Sequence, residues 1–195
     1  MTSCAADLYW LPVGAGTSWF QRTSLRLWEA FEAARSRRPR TLLVHSALKL
    51  RFGPDEAYTL ELAPAFIGGP PPLATGPVGF RGADRFRLFR YQLRCIPGNT
   101  LPDEQWAVTS PVRLSDDCEA VRRIIARAPS VPPHVWGRHA PGTDEIWTSD
   151  SVISWLLVVA GIDLSRIAPP PGSRAPGWFA GVALGRAAAE ATPRL

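Results

Sequence analysis

The chain has 195 residues, 46% of them hydrophobic and 20% charged, with eight Trp and eight Phe. That is enough to bury the core of one domain, and the composition excludes disordered and collagen-like classes. The net charge is +5, but of 22 basic residues only Lys49 is a lysine; such an Arg-rich, Ala-rich, Pro-rich make-up reflects a GC-rich genome and argues against nucleic acid as a partner.

The N-terminus lacks the basic start and long apolar core of a signal peptide. Leu8–Val13 reads as a short strand, followed by a Gly-rich turn at 14–16. Thr23 or Ser24 caps a helix expected to run to about Arg37, with Leu25, Trp28 and Phe31 at helical spacing. The densest basic run, 35–40, falls where that helix ends and complements its dipole. Thr41–Phe52 is a strand, and a turn at Gly53-Pro54-Asp55 returns the chain into Ala57–Ala63 as a hairpin.

The breaker-rich stretch 64–77 is expected to lie over the surface. Short strands are predicted at 78–81 and 86–95. Ser115 caps a helix to about Ala128, buried through Val121, Ile124 and Ile125. A loop over 129–148 leads to a helix at 149–160. An irregular tail then begins around Pro169-Pro170-Pro171-Gly172, and residues from about 187 to 195 are expected to fray. The elements fit an α+β domain spanning residues 1–186, with an antiparallel sheet. The longest apolar stretch, around 152–162, is too short to span a bilayer. Cys4, Cys95 and Cys118 are odd in number and widely spaced, suggesting neither a disulfide framework nor a zinc site. No metal or cofactor is implied, and a cytoplasmic location is expected.

Chemistry concentrates at the 149–160 helix. Its apolar residues go most of the way round, which marks a buried helix. Thr148, Ser149, Asp150 and Ser151 stand at its N-terminus, where unpaired N–H groups and the dipole favour negative charge. Ser and Asp are among the best N-caps, so a purely structural role is available to them. Two other residues suggest more. His45 interrupts an aliphatic strand, and Glu61 lies in an otherwise apolar one. On adjacent antiparallel strands the two can form a base and its orienter. A three-residue turn over 53–55 puts them on one face; a two- or four-residue turn puts them on opposite faces. His134 and His139 lie in the loop entering the helix, with His139 the better reserve base. Trp136 and Trp147 are candidates to line a cleft there.

In order and chemistry these segments resemble the circularly permuted papain-like superfamily, the NlpC-type amidases and lecithin:retinol acyltransferase-like enzymes. His45-Ser46-Ala47-Leu48 resembles the family's histidine strand, and Glu61-Leu62-Ala63-Pro64 its next strand. The segment from Thr148 to Leu157 is similar to an Asn-Cys-x-Ser-Phe-Val-x-Trp-Leu-Leu pattern, with Ser149 where the family carries its nucleophilic cysteine. The likeness covers about 41–63 and 145–161. The whole chain also resembles an uncharacterised bacterial set with a Trp-Asn-Ser-Asn-Ser-type helix start.

The resemblance implies a permuted papain-like fold, a small antiparallel sheet packed on a central buried helix. It implies one of two functions. The first is an amide or ester hydrolase or acyltransferase, with Ser149 as nucleophile, His45 as base, Glu61 as orienter and helix-tip N–H groups as oxyanion hole. The second is an inactive descendant that binds a small-molecule, acyl, peptide or protein ligand. Serine makes the choice sharp: its hydroxyl stays protonated where a cysteine would become thiolate, so it needs the histidine in tight geometry.

Overall fold

Strict alternation of side chains builds the centre of the molecule. The computed structural model describes residues 3–14 and 41–191; the helix expected over 24–37 and the basic run 35–40 lie outside them. In β1 (Cys4–Pro12) and β2 (Leu42–Phe52) the even-numbered Leu8, Trp10, Val44, Leu48 and Leu50 enter the main core. The two strands pair in an unbroken antiparallel register from Cys4↔Phe52 to Pro12↔Val44.

The remaining strands are β3 (Ala57–Pro64), β4 (Ala74–Pro77), β5 (Arg90–Pro97), β6 (Val112–Ser115) and β7 (Ser173–Arg174). They form the order β4-β5-β3-β2-β1-β6, with every neighbour antiparallel. The short β7 adds a parallel contact to the start of β2. The helices are α1 (Cys118–Arg127), α2 (Ser149–Val159) and α3 (Trp178–Ala191). The architecture is therefore mixed α+β with an antiparallel sheet.

One sheet face carries the helices and the main core, including fully buried Trp10, Trp147 and Trp178. Trp10 and Trp178 meet edge to face at 4.7 Å. The opposite face holds a small cluster of Tyr9, Leu11, Ala47 and Leu101 among charged groups. There Lys49 Nζ donates to Glu104 at 2.6 Å, and Asp7 pairs with both Arg51 and Arg113.

Helix α2 is the pivot: residues 150–157 are all buried. Helix α3 lies close against it because its contact positions are glycines. A Cβ on Gly181 would stand 2.1 Å from Ser154 Oγ and 2.2 Å from the Ser151 carbonyl oxygen, and one on Gly185 2.9 Å from Val158 Cβ. Ser154 Oγ instead donates to the Trp178 carbonyl at 2.8 Å.

Several sequence expectations need correction. Strand β1 begins at Cys4, which is buried and bonded to Cys118 in a disulfide with Cα atoms 5.0 Å apart. The bond closes a loop across 114 residues of sequence, so it removes much denatured-state freedom. Such bonds persist in oxidising compartments and are rare in a reducing cytosol, and the cytoplasmic expectation finds no support in this pairing.

The strand expected at 78–81 lies earlier, as β4 inside the breaker-rich region. It tolerates Pro77 because it is the sheet edge. Gly76 leaves room there for the Tyr91 ring, only 2.3 Å from where a Cβ would stand. Residues 86–89 are not strand: two 3-10 turns, 83–85 and 87–89, fill the approach to β5. Helix α1 is capped by Asp117, whose carboxylate accepts from the N–H groups of Glu119 and Ala120, and not by Ser115. The expected irregular tail contains α3, ordered through Ala191, past the point where fraying is expected. Its first N–H groups, on Phe179 and Ala180, donate to the Glu145 carboxylate at 3.1 Å each.

Candidate functional site

The start of α2 is built as a capping box. Thr148 Oγ1 accepts from the Asp150 N–H at 3.2 Å and from the backbone of Ser151, while the Ser151 hydroxyl accepts from the Thr148 N–H at 3.0 Å. Ser151 Oγ also donates to the Ile146 carbonyl, and Thr148 Oγ1 to that of Pro176. The N–H groups of Asp150 and Ser151, two of the tip groups that could hold an oxyanion, are thus engaged by the helix's own cap. Ser149, half-buried, begins the helix and belongs to neither half of the box.

Asp150 turns inward. Its Oδ1 accepts from the Ser46 N–H at 2.7 Å and from Ser46 Oγ at 2.8 Å, tying the helix start to β2. The β2–β3 ladder runs only from Leu48↔Leu60 to Arg51↔Ala57, so Ser46 has no ladder partner in β3 and gives its N–H to the carboxylate. Burial pushes the Asp150 carboxyl up to about 7; the Ser46 hydrogen bonds oppose that and the nearby Glu145 charge adds to it.

The face of β2 that meets α2 presents Ser46 and not His45. Because the β1–β2 register carries no bulge, His45 alternates onto the opposite face, with Ala47 and Lys49. It is half-buried there, its pKa lowered by desolvation against the raising influence of Asp103 and Glu61. Glu61 does share that face: the hairpin pairs Leu48↔Leu60 and Lys49↔Thr59, the register of a three-residue turn. Its Oε1, however, accepts from Arg94 at 2.6 Å. His45 and Glu61 therefore share a face, the outcome of the three-residue-turn alternative, but on the far side of the sheet from Ser149. Among the described residues no hydrogen bond joins Ser149 to either.

In the Ser46–Asp150 pair a hydroxyl lies beside a carboxyl pushed up to about 7, the chemistry of a nucleophile and base. Ser46 is 1% exposed and Asp150 2%, which shuts substrate out and leaves the pair a structural clasp.

An open groove lies elsewhere, between the loop after β4 and the loop entering α2. It has a volume of about 570 Å³ and is lined by Phe80, Arg81, Asp84, His134, Arg138 and His139 together with prolines. The two loops are stitched by backbone bonds, Trp136 N–H to Pro77 O at 2.8 Å and Gly79 N–H to Trp136 O at 3.1 Å. Arg138 Nε donates to the Gly79 carbonyl at 2.6 Å. Beneath the groove the His134 ring packs edge-on against buried Trp147, 4.8 Å between centroids. Trp147 Nε1 donates to Tyr91 Oη, which donates to the His134 carbonyl. Burial and the Arg81 charge lower the His134 pKa, so the ring is neutral at pH 7.

Of the residues expected to line a cleft, His139 lines this groove. Trp147 supports it from below, and Trp136 is exposed beside it. Asp150 and Ser151 are buried in the α2 cap and take no part. Sequence reasoning missed Ser46, Arg81 and Arg138. Among the described residues no group of three His, Cys, Asp or Glu side chains could hold a metal ion, and no helix is long and apolar enough to cross a membrane. Comparison with known proteins returns no match to a family model, a curated protein or a solved structure.

Proposed function

We propose that this chain is a non-catalytic, papain-like descendant that binds a small anionic ligand in the groove between residues 77–84 and 133–141. The single observation that carries the non-catalytic reading is that Ser46, and not His45, faces the start of α2. A serine nucleophile without a base in reach stays a protonated hydroxyl. The papain-like assignment is supported by the order of the pieces: a hairpin, then a buried helix whose polar N-terminus meets the first hairpin strand.

The ligand class follows from the lining. Arg81 and Arg138 stand against one carboxylate, Asp84, with His134 and His139 as further N–H donors and Phe80 as an apolar wall. A carboxylate or phosphate carried on a compact apolar body suits that set.

Titration with phenyl phosphate, followed through the ring protons of His134 and His139, tests the reading. Both signals should shift saturably, and Arg81→Ala or Arg138→Ala should weaken binding about tenfold. Absence of any shift at millimolar ligand would remove the groove as a site. A fluorophosphonate probe should leave Ser149 unlabelled; labelling that disappears in Ser149→Ala would restore the hydrolase reading.

A further inference from the structure

The segment following the edge strand β4 carries a surface that the groove does not explain. Of the ten large hydrophobic side chains exposed among the described residues, six fall within 66–89: Phe66, Ile67, Phe80, Phe86, Leu88 and Phe89. Phe80 is 57% exposed, Phe86 58% and Leu88 64%. Phe66 and Ile67 precede β4, while Phe80, Phe86, Leu88 and Phe89 belong to one compact loop after it: two 3-10 turns are linked by N–H bonds from Ala83 to Phe80 O, Phe86 to Ala83 O and Phe89 to Phe86 O. The Phe80 and Phe89 rings lie 6.4 Å apart. An apolar cluster of this kind on a surface marks a place of attachment.

Its cations distinguish it from a simple sticky patch. In Phe80-Arg81-Gly82-Ala83-Asp84-Arg85-Phe86-Arg87-Leu88-Phe89-Arg90, four arginines interleave with the apolar residues against one aspartate. Arg85 Nε donates to the Gly82 carbonyl, Arg87 Nε to that of Ala65 and Arg90 Nε to that of Asp84. These bonds fix the stems of the side chains on the loop. None of the ion pairs among the described residues uses Arg81, Arg85, Arg87 or Arg90.

We propose that this loop docks the protein on an anionic lipid bilayer, with Phe86, Leu88 and their neighbours entering the interface and the arginines meeting lipid phosphates. The chemistry matches the layering of a bilayer surface, where an apolar region lies directly beneath a sheet of negative charge. Arginine stems lie along the apolar layer while their heads remain among phosphates. A folded acidic partner would have to supply a separate apolar pocket between carboxylates for each exposed side chain. The bilayer provides both layers without such a fit. Position in the fold agrees, since β4 is the edge strand of the sheet among the described residues and its following loop lies at the rim.

The loop borders the anion groove at Phe80, Arg81, Gly82 and Asp84, but Arg85, Phe86, Arg87 and Leu88 do not line it, so the two readings can be tested separately. Co-sedimentation of the full chain with vesicles of equal parts phosphatidylglycerol and phosphatidylcholine tests it. The protein should pellet with these vesicles and stay in solution with phosphatidylcholine alone. Phe86→Ser with Leu88→Ser, and separately Arg85→Glu with Arg87→Glu, should each weaken partitioning roughly tenfold or more, and added salt should weaken it too. Unchanged thermal melts of both variants exclude a folding cause, and an unchanged phenyl phosphate titration of the serine variant keeps the groove reading separate. Failure to pellet with anionic vesicles would overturn the proposal. So would full retention by the serine variant, or binding to polyglutamate as tight as to the vesicles, which would point to an acidic protein partner.

Discussion

The start of α2 and the loop after β4 are both polar-rich turns, and they are wired in opposite ways. At 146–151 the polar groups turn inward: Thr148 and Ser151 close the cap, and Asp150 clasps Ser46. At 78–90 Arg85 and Arg90 hold backbone carbonyls of their own loop through Nε, Arg87 holds that of Ala65, and large apolar side chains face out. The segment with the more reactive-looking residues is the one whose hydrogen bonds are consumed in folding. Polar residues do work on a ligand only where the fold leaves them unspent, so the functional surface is better sought in the second region. That contrast predicts large stability effects at the first region and binding effects without stability effects at the second.

The largest effect is expected where α3 presses on the α2 start. An alanine Cβ at Gly181 would meet the Ser151 carbonyl at 2.2 Å and its Cα at 2.7 Å, backbone atoms that cannot step aside as a flexible side chain does. Gly181→Ala should therefore cost at least about 3 kcal/mol, or prevent folding. Chemical denaturation against the native chain measures it. A cost below about 1 kcal/mol would mean that the two helices are not held this close.

The Asp150 clasp comes next. Asp150→Ala leaves the Ser46 N–H buried without its acceptor and should cost about 3 kcal/mol. Asp150→Asn keeps an oxygen acceptor, and its effect depends on pH. The folded carboxyl titrates near 7 and the unfolded one near 3.8. Between these values the folded chain holds a proton that the unfolded chain has released. The stability this contributes is fully present below about pH 4 and is lost as pH rises through 7, on the order of 4 kcal/mol in all. The asparagine variant should lack that slope. Urea midpoints of both proteins across pH 4–8 give the comparison, and parallel curves would show that the carboxyl is ionised throughout.

Much of this wiring was legible in the sequence, and the part that was not has a physical reason. The hairpin followed from Gly53-Pro54-Asp55, but its register stayed open between a three-residue turn and a two- or four-residue one until the strands were paired. The parity of β2 was also readable: Val44, Leu48 and Leu50 share even numbers with Ser46, whereas His45 shares odd numbers with Lys49 and Arg51. Aliphatic positions two apart define the buried face, so the strand itself places Ser46 against a buried helix and His45 away from it. A conspicuous histidine outweighed that pattern. The Cys4–Cys118 bond was not readable, since the pairing depends on α1 packing across β1, a contact between residues 114 apart in sequence. Nor was the groove, because Arg81 and His139 meet only when two irregular loops are stitched through Trp136.

The smallest stability effects should come from the residues most exposed to a partner and from the serine that heads α2. Phe86→Ser with Leu88→Ser removes side chains more than half exposed, so unfolding should shift by no more than about 0.5 kcal/mol. The same variant is expected to lose vesicle binding, and that dissociation of stability from binding defines a surface kept for attachment. Ser149→Ala should be equally mild, because Thr148 and Ser151 complete the cap without it. Ser149→Cys extends the argument. A thiol at a helix N-terminus ionises readily, but hydrolysis also needs a base, and His45 lies across the sheet. The cysteine variant should thus react with iodoacetamide yet release no product from aryl ester substrates. Turnover by that variant would mean that a base, His45 or the reserve His139, does reach the helix start, and with it the whole contrast between a spent α2 start and an open loop would fall.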